Sequence, residues 1–262
     1  MESKGKRVQS VEKAMMLLDC FWEERKGYSL AELAGKTGWA KSTIHALLSS
    51  MIGNALVEQD ELTGKYQLGY HAFELGCVVQ ERWDVKPVAA HYMRKLTDRT
   101  GESLYLGMRC GNELLLIDNS EGFNNYRIAS PLGGRMPLYG CSQGKILLAY
   151  MPRKVLDDYL EQVELKSHTP YTITDKDRLR RELDTIYEQG YAVEYGELQI
   201  GLKSIAAPIF DHNGNCNYAI SAVTIARGGL ADDSFKRLQE VVVRAAEEIT
   251  GELKKPSVSM EF

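Results

Sequence analysis

Apolar residues recur at helical spacing through the first fifty positions, and two short strand-like runs follow. In VEKAMMLLDCFWE, Val11, Ala14, Leu18, Phe21 and Trp22 form an apolar stripe, with Ser10 placed to cap the helix. SLAE at 29–32 has the spacing of a capping box. It opens a short helix that turns Leu30, Leu33 and Ala34 inward and stops at Thr37-Gly38. AKSTIHALLSSMI comes next. Ile44, Leu47, Leu48 and Met51 sit at i, i+3, i+4 and i+7, which winds Ser42, His45, Ala46 and Ser49 onto the opposite face. LVEQDELTGKYQL then reads as two strands, at 56–59 and 65–68, joined at Thr63-Gly64.

Two helices joined through a Gly-containing turn, with a hairpin after the second, are the pattern of a winged helix-turn-helix. A helix fits the major groove of a duplex, its N-terminal residues reach base edges, and the hairpin touches flanking phosphate. On this reading Ser42, Thr43, His45 and Ser49 meet base edges and backbone. Lys41, Lys65 and the arm Lys4-Lys6-Arg7 meet phosphate or a flanking minor groove. A helical hairpin with an ordinary solvated face has the same pattern. Net charge is −4 over 262 residues, and residues 1–75 hold nine Lys or Arg against ten acids. Duplex binding must therefore rest on where single charges sit, not on a bulk field.

The pattern over 70–83 is again helical, with Phe73, Leu75, Val78 and Val79 apolar. Pro87 suits the first turn of a further helix that Gly101 ends. Beyond it, strand-like segments fall at 103–108, 113–119, 126–129, 191–197, 204–210 and 218–225. Helices fall at 142–150, 153–161, 175–189 and 233–253, the third with Thr174 as cap and Gly190 at its end. Strands joined mostly by turns imply an α+β domain on an antiparallel sheet. The expected organisation is a mainly helical winged helix-turn-helix at 1–69, a helical linker at 70–86, an α/β domain at 87–255 and a flexible tail at 256–262.

Bulk composition narrows the classes. No apolar run reaches the roughly 18 residues that span a bilayer, and the charged N-terminus lacks a signal peptide's apolar core. The five cysteines are scattered without a C-x-x-C, so neither a metal site nor a disulfide framework is indicated, and no cofactor motif stands out. A reducing cytoplasm fits.

Gly140-Cys-Ser-Gln-Gly144 matches the G-x-S-x-G of a hydrolase elbow. That mechanism also needs an acid and then a His downstream, on a parallel sheet. Only His168 and His212 follow Ser142. His212 sits in the turn DHNG, and His168 lies in a polar loop. A phosphate loop fails as well, with Tyr139 and Ile146 at the positions that need Gly and Ser or Thr. A ligand cradle asks less. A helix starting near Ser142 points the N–H groups of Gln143, Gly144 and Lys145 outward and favours an anion there, while Ser142 and Gln143 add side-chain hydrogen bonds. A small organic acid, such as a keto, sugar or aromatic acid, suits such a place.

These segments together resemble the IclR family of bacterial transcriptional regulators. The family's recognition helix reads K-S-T-(V/I)-(H/Y)-R-L-L, matched by KSTIHALL with Ala46 in place of the usual Arg. An Arg there meets phosphate or a guanine edge, so its loss implies altered site preference or weaker binding. Tyr66, Leu68, Gly69, Leu75 and Gly76 match the run after the wing. RMPLYGCSQGKILLAY and IAAPIFDHNGNCNYAISAV match segments of the family's C-terminal domain, so the resemblance covers nearly the whole chain.

The resemblance implies a GAF-like domain that binds a small-molecule effector, and subunits paired as dimers or dimers of dimers with help from the linker helices. It implies pocket walls at Leu138, Ser142, Gln143, Gly144, Glu194, Ser204, Ser221 and Val223. Ser204 replaces the family's Cys, and Val223 replaces the second of two alternating serines. Ser204 and Ser221 can equally be small residues in a packed sheet, and Glu194 a strand acid. The implied function is a ligand-responsive regulator, by family default a repressor, on a pseudo-palindromic operator. A DNA-independent ligand-binding protein and a serine hydrolase using Ser142 are the alternatives.

Overall fold

A computed structural model describes residues 7–24, 26–123, 131–226 and 233–255. Lys4 and Lys6, the strand expected at 126–129 and the tail at 256–262 lie outside them. The chain forms two compact units, Met1–Trp83 and Asp84–Phe262.

The first unit runs α1 (Gln9–Glu23), α2 (Leu30–Thr37), α3 (Lys41–Ile52), β1 (Val57–Gln59), β2 (Tyr66–Leu68) and α4 (Tyr70–Gln80). Its core joins Leu17, Cys20 and Phe21 of α1 to Leu33, Ile44, Leu48, Met51, Val57 and Tyr66. The inward stripe of α1 is thus one step round from the expected one. Leu17 and Cys20 are buried, whereas Val11 and Trp22 are exposed, because a helix rich in apolar residues offers two candidate stripes and packing on α3 selects one. Ser10 lies inside the helix, whose N-cap is Val8 without a side-chain bond. The capping box at α2 is complete: Ser29 N–H donates to Glu32 Oε2 at 2.7 Å, and Glu32 N–H donates to Ser29 Oγ at 3.2 Å. Gly38, at φ 72°, turns the chain sharply into α3. β1 and β2 pair antiparallel as a wing. Helix α4 buries no residue within the chain, leaving Phe73, Leu75, Val78 and Val79 exposed.

The second unit begins with α5 (Val85–Thr100), then β3 (Ser103–Cys110), β4 (Glu113–Ser120) and β5 (Arg135–Pro137). A 3-10 turn at Leu138–Gly140 leads to α6 (Ser142–Ala149), followed by α7 (Arg153–Gln162) and α8 (Lys176–Gln189). β6 (Ala192–Tyr195), β7 (Leu202–Phe210), β8 (Cys216–Ile225) and α9 (Asp233–Leu253) complete it. Asp175, not Thr174, caps α8, accepting the Arg178 N–H at 2.6 Å. Among the described residues the six strands of this unit are all antiparallel, in the order β5-β4-β3-β8-β7-β6, the α+β arrangement expected. Helices α5 and α9 cover one face, and α6 lies across β3, β6, β7 and β8 on the other. β5, which pairs Glu113 with Pro137, was not among the strands expected of the domain. Three residues carry too little alternation to register.

Candidate functional site

In the first unit, Lys41, Ser42, His45, Ala46 and Ser49 are exposed along α3, and Thr43 is half-buried. The buried stripe of Ile44, Leu48 and Met51 fixes which face they occupy. His45 Nδ1 lies 3.5 Å from Ser49 Oγ. Ala40 caps α3 without a side-chain bond, so the first N–H groups stay available to an anion. The two other expected cations among the described residues are engaged. Lys65 Nζ sits 3.5 Å from Gly27 O and 3.8 Å from Glu32, and Arg7 lies 3.5 Å from Glu12. Exposed ion pairs are worth about 0–1 kcal/mol, so a phosphate can draw either away. Leu62, 97% exposed at the wing tip, belongs to this surface and carries no sequence signal distinguishing it from a turn residue.

In the second unit the sheet register assembles the predicted walls. Glu194 pairs with Ser204, Ser204 with Val223, and Val223 with Ser103, giving one row across four strands. The next row runs Ala192, Ala206, Ser221, Tyr105. Residues two apart on a strand share a face, so Glu194, Ser204, Ser221 and Val223 all look toward α6. Ser142, Ser204, Ser221 and Glu194 are buried, and Val223 is half-buried. Ser142 Oγ lies 2.8 Å from Ser204 Oγ, and Ser204 Oγ donates to Glu194 Oε2 at 3.1 Å.

The start of α6 is narrower than the sequence suggested. Lys145 N–H bonds to Cys141 O at 3.0 Å and closes the first turn, and the Gly144 N–H is taken by the Cys141 sulfur. Among the described residues the N–H groups of Ser142 and Gln143 take no partner and remain for a ligand. The amide nitrogen of Gln143 donates to Tyr105 O at 3.0 Å and Ala219 O at 2.8 Å. Gln143 therefore pins α6 to β3 and β8, and only its Oε1 can face a ligand. Gly144 packs so closely on Leu138 that a Cβ would strike the Leu138 carbonyl.

The least expected feature is Lys145, fully buried. Its ammonium meets Glu182 Oε1 of α8 and Glu197 Oε1, each at 2.5 Å. Burial pushes the Glu197 carboxyl up while Lys145 pulls it down. Glu197 N–H in turn donates to Glu194 Oε1. The sequence signal was slight: one lysine in KILLA, a segment otherwise apolar. Burial also pushes the Glu194 carboxyl up to about 7, against the Glu197 and Leu198 N–H groups and the Ser204 hydroxyl, which favour its charge.

Nucleophilic chemistry finds no support here. Ser142 pairs with Ser204, while His168 Nε2 sits 3.2 Å from Tyr139 Oη and His212 bonds to Asn213. Burial pushes the Cys141 thiol up to about 12, which keeps it protonated and inert. Among the described residues no group of three His, Cys, Asp or Glu is placed to hold a metal, and no helix is long and apolar enough to cross a membrane.

Comparison with known proteins agrees with this architecture. Residues 10–61 match the IclR helix-turn-helix domain, and residues 77–251 match the bacterial transcriptional regulator IclR C-terminal family. The HTH-type transcriptional regulator KipR of Bacillus subtilis is 33% identical over 250 residues, covering 95% of this chain and 98% of its own. The HTH-type transcriptional repressor AllR of Klebsiella pneumoniae is 31% identical over 248 residues, covering 95% and 91%. The crystal structure of the Thermotoga maritima IclR superposes with a TM-score of 0.78 at 32% identity, over 95% of this chain and 100% of that one. With its DNA-binding helix-turn-helix and its C-terminal effector domain, this chain belongs to the IclR family of bacterial transcriptional regulators and is not an enzyme.

Proposed function

We propose that this chain is a cytoplasmic repressor that binds a pseudo-palindromic operator as a dimer or a dimer of dimers. A small organic acid held between α6 and the sheet controls it. The observation that carries the reading is the buried line from Glu194 through Ser204 to Ser142, ending at the free N–H groups that open α6. A packed structural sheet needs no such line of polar groups, and each costs desolvation unless bonded. Leu138, Ser221 and Val223 supply apolar and hydroxyl walls, Gln143 Oε1 and Gly144 the floor of the cradle.

On the DNA side, Ser42, Thr43, His45 and Ser49 read the major groove, with Lys41, Lys65 and Arg7 on phosphate. Repression follows the AllR relative, which carries that description. Self-association is supported by α4, whose exposed Phe73, Leu75, Val78 and Val79 make an apolar surface larger than isolated side chains explain. Selection of duplexes from a random pool by the purified full chain tests the reading. Recovery of a two-fold symmetric sequence, released by a small acid, is the expected result. No enrichment from folded protein, with or without acids, favours a DNA-independent ligand-binding protein instead.

A further inference from the structure

The line Glu194–Ser204–Ser142 has a polarity, and one proton sets it. Glu194 Oε1 accepts the Glu197 N–H, so Oε2 alone faces Ser204 Oγ, at 3.1 Å; Ser204 Oγ faces Ser142 Oγ at 2.8 Å. Each hydroxyl owns a single proton. With Glu194 ionised, Ser204 donates to Oε2, Ser142 donates to Ser204, and Ser142 turns only lone pairs toward its other neighbours. With a proton on Oε2, both bonds reverse. Glu194 donates to Ser204, Ser204 donates to Ser142, and the Ser142 proton is free to donate beside the N–H groups of α6.

The surrounding charges make that proton matter. Lys145 of α6 is shared between Glu182 of α8 and Glu197 of the β6–β7 connection, and Arg178 of α8 lines the same cavity as both acids, so these groups balance one another and leave no net positive charge to offset an ionised Glu194. Cys141, at the start of α6, is held as the thiol. Lys203 of β7 points to the opposite face, 4.5 Å over the Phe235 ring of α9. From β8 and β3 come Ser221, Val223, Ser103 and Tyr105, which add no charge at neutral pH. An anion entering beside an ionised Glu194 therefore meets like charge in a buried place, and an acceptor-only Ser142.

We propose that Glu194, Ser204 and Ser142 form a proton-reversible relay, and that binding of a carboxylate effector under α6 takes up one proton at Glu194. This rests on the effector site proposed above. The raised Glu194 carboxyl, near 7, puts the change of state within reach of cellular pH.

The test uses the full chain. Titration of its glutamate carboxyl carbons by NMR, with Glu194→Gln to assign the resonance, reads the relay without ligand. Calorimetry with pyruvate and with benzoate, in two buffers of different ionisation heat, reads proton uptake. The expected results are a Glu194 midpoint near neutrality and uptake of about one proton on binding at pH above it. Acid affinity should fall about tenfold per pH unit above that midpoint. In Glu194→Gln the amide nitrogen takes the Oε2 position and donates permanently toward Ser204, so affinity should lose its pH dependence. Ser204→Ala removes a donor from the carboxylate, so the NMR and binding midpoints should rise together. A Glu194 midpoint in the ordinary carboxylate range, or acid binding without proton exchange, overturns the relay and leaves the effector site standing. No binding of either acid at about pH 6, where Glu194 is protonated, overturns both.

Discussion

Ser142 Oγ and Ser204 Oγ lie 2.8 Å apart although they are 62 positions apart in the sequence, so the first turn of α6 is tied to the start of β7. This bond puts the G-x-S-x-G serine on the wall of the proposed effector site. A ligand seated there pushes on a helix and a strand at once, the kind of differential contact that regulation requires.

Filling that place should separate DNA binding from its control. Ser142→Trp puts an indole into a buried position, at a cost of about 1–3 kcal/mol from overpacking. Operator affinity, read by anisotropy of a labelled duplex, should survive while the response to acid disappears. A response equal to that of the unaltered chain would place the effector elsewhere.

Lys145 should be among the costliest single losses in the second unit. Lys145→Met leaves Glu197 buried beside Glu194 without its cation, which by analogy with broken buried pairs costs about 3–5 kcal/mol. Adding Glu197→Gln should restore part of it. Urea unfolding of the single and double variants measures the coupling; strict additivity would refute the triad as a unit.

Stability should decline as pH rises from about 4.5 to about 7. The folded chain holds the Glu194 proton up to about 7, whereas an unfolded glutamate releases it near 4.5. The folded state thus binds more protons across that window, and its advantage is lost as pH passes through it. Glu197, also raised, acts in the same direction. Denaturant midpoints for Glu194→Gln should show a flatter profile than those of the unaltered chain.

Operator affinity should be salt-dependent even though the first unit is nearly neutral. If about eight phosphates are neutralised per dimer, log affinity should fall against log salt with a slope of about −7. Lys41→Ala, which removes one contact from each subunit of the dimer, should make the slope shallower by about 2, and Ala46→Arg should make it steeper if the new guanidinium finds phosphate. Affinity that ignores salt would contradict the proposed docking.

The apolar face of α4 should prove to be a contact. Phe73, 72% exposed, lies in a helix with no buried residue, and Phe73→Glu should shift sedimentation toward the monomer without changing helical content. An unchanged sedimentation profile would assign the face to something other than self-association.

The winged helix-turn-helix was legible because each of its parts depends on local chemistry. The Ser29–Glu32 capping box, the left-handed Gly38 and the i, i+3, i+4, i+7 stripe of α3 decide their own neighbourhoods. The stripe of α1 was misread because Val11 and Trp22 are as apolar as Leu17 and Cys20, and only packing on α3 separates them. In the second unit the resemblance named Glu194, Ser204, Ser221 and Val223, and strand register brings them onto one face. The binding of Gln143 to main-chain carbonyls and the Glu182–Lys145–Glu197 triad were hidden, since both depend on partners more than thirty residues away. Long-range pairing of that kind leaves no period in the sequence.

The contact between Gly144 and Leu138 divides the proposed effector site into a fixed jaw and an adjustable one. With no room for even a methyl group, the 3-10 turn and the start of α6 move only as one piece. The opposite jaw is a set of strand side chains, Glu194, Ser204, Ser221 and Val223, that can be exchanged while the backbone ladder stays intact. Retuning this protein to a different acid is therefore a matter of rewriting the sheet. On that proposed site, the helix would keep a constant grip while the sheet sets which acid is admitted.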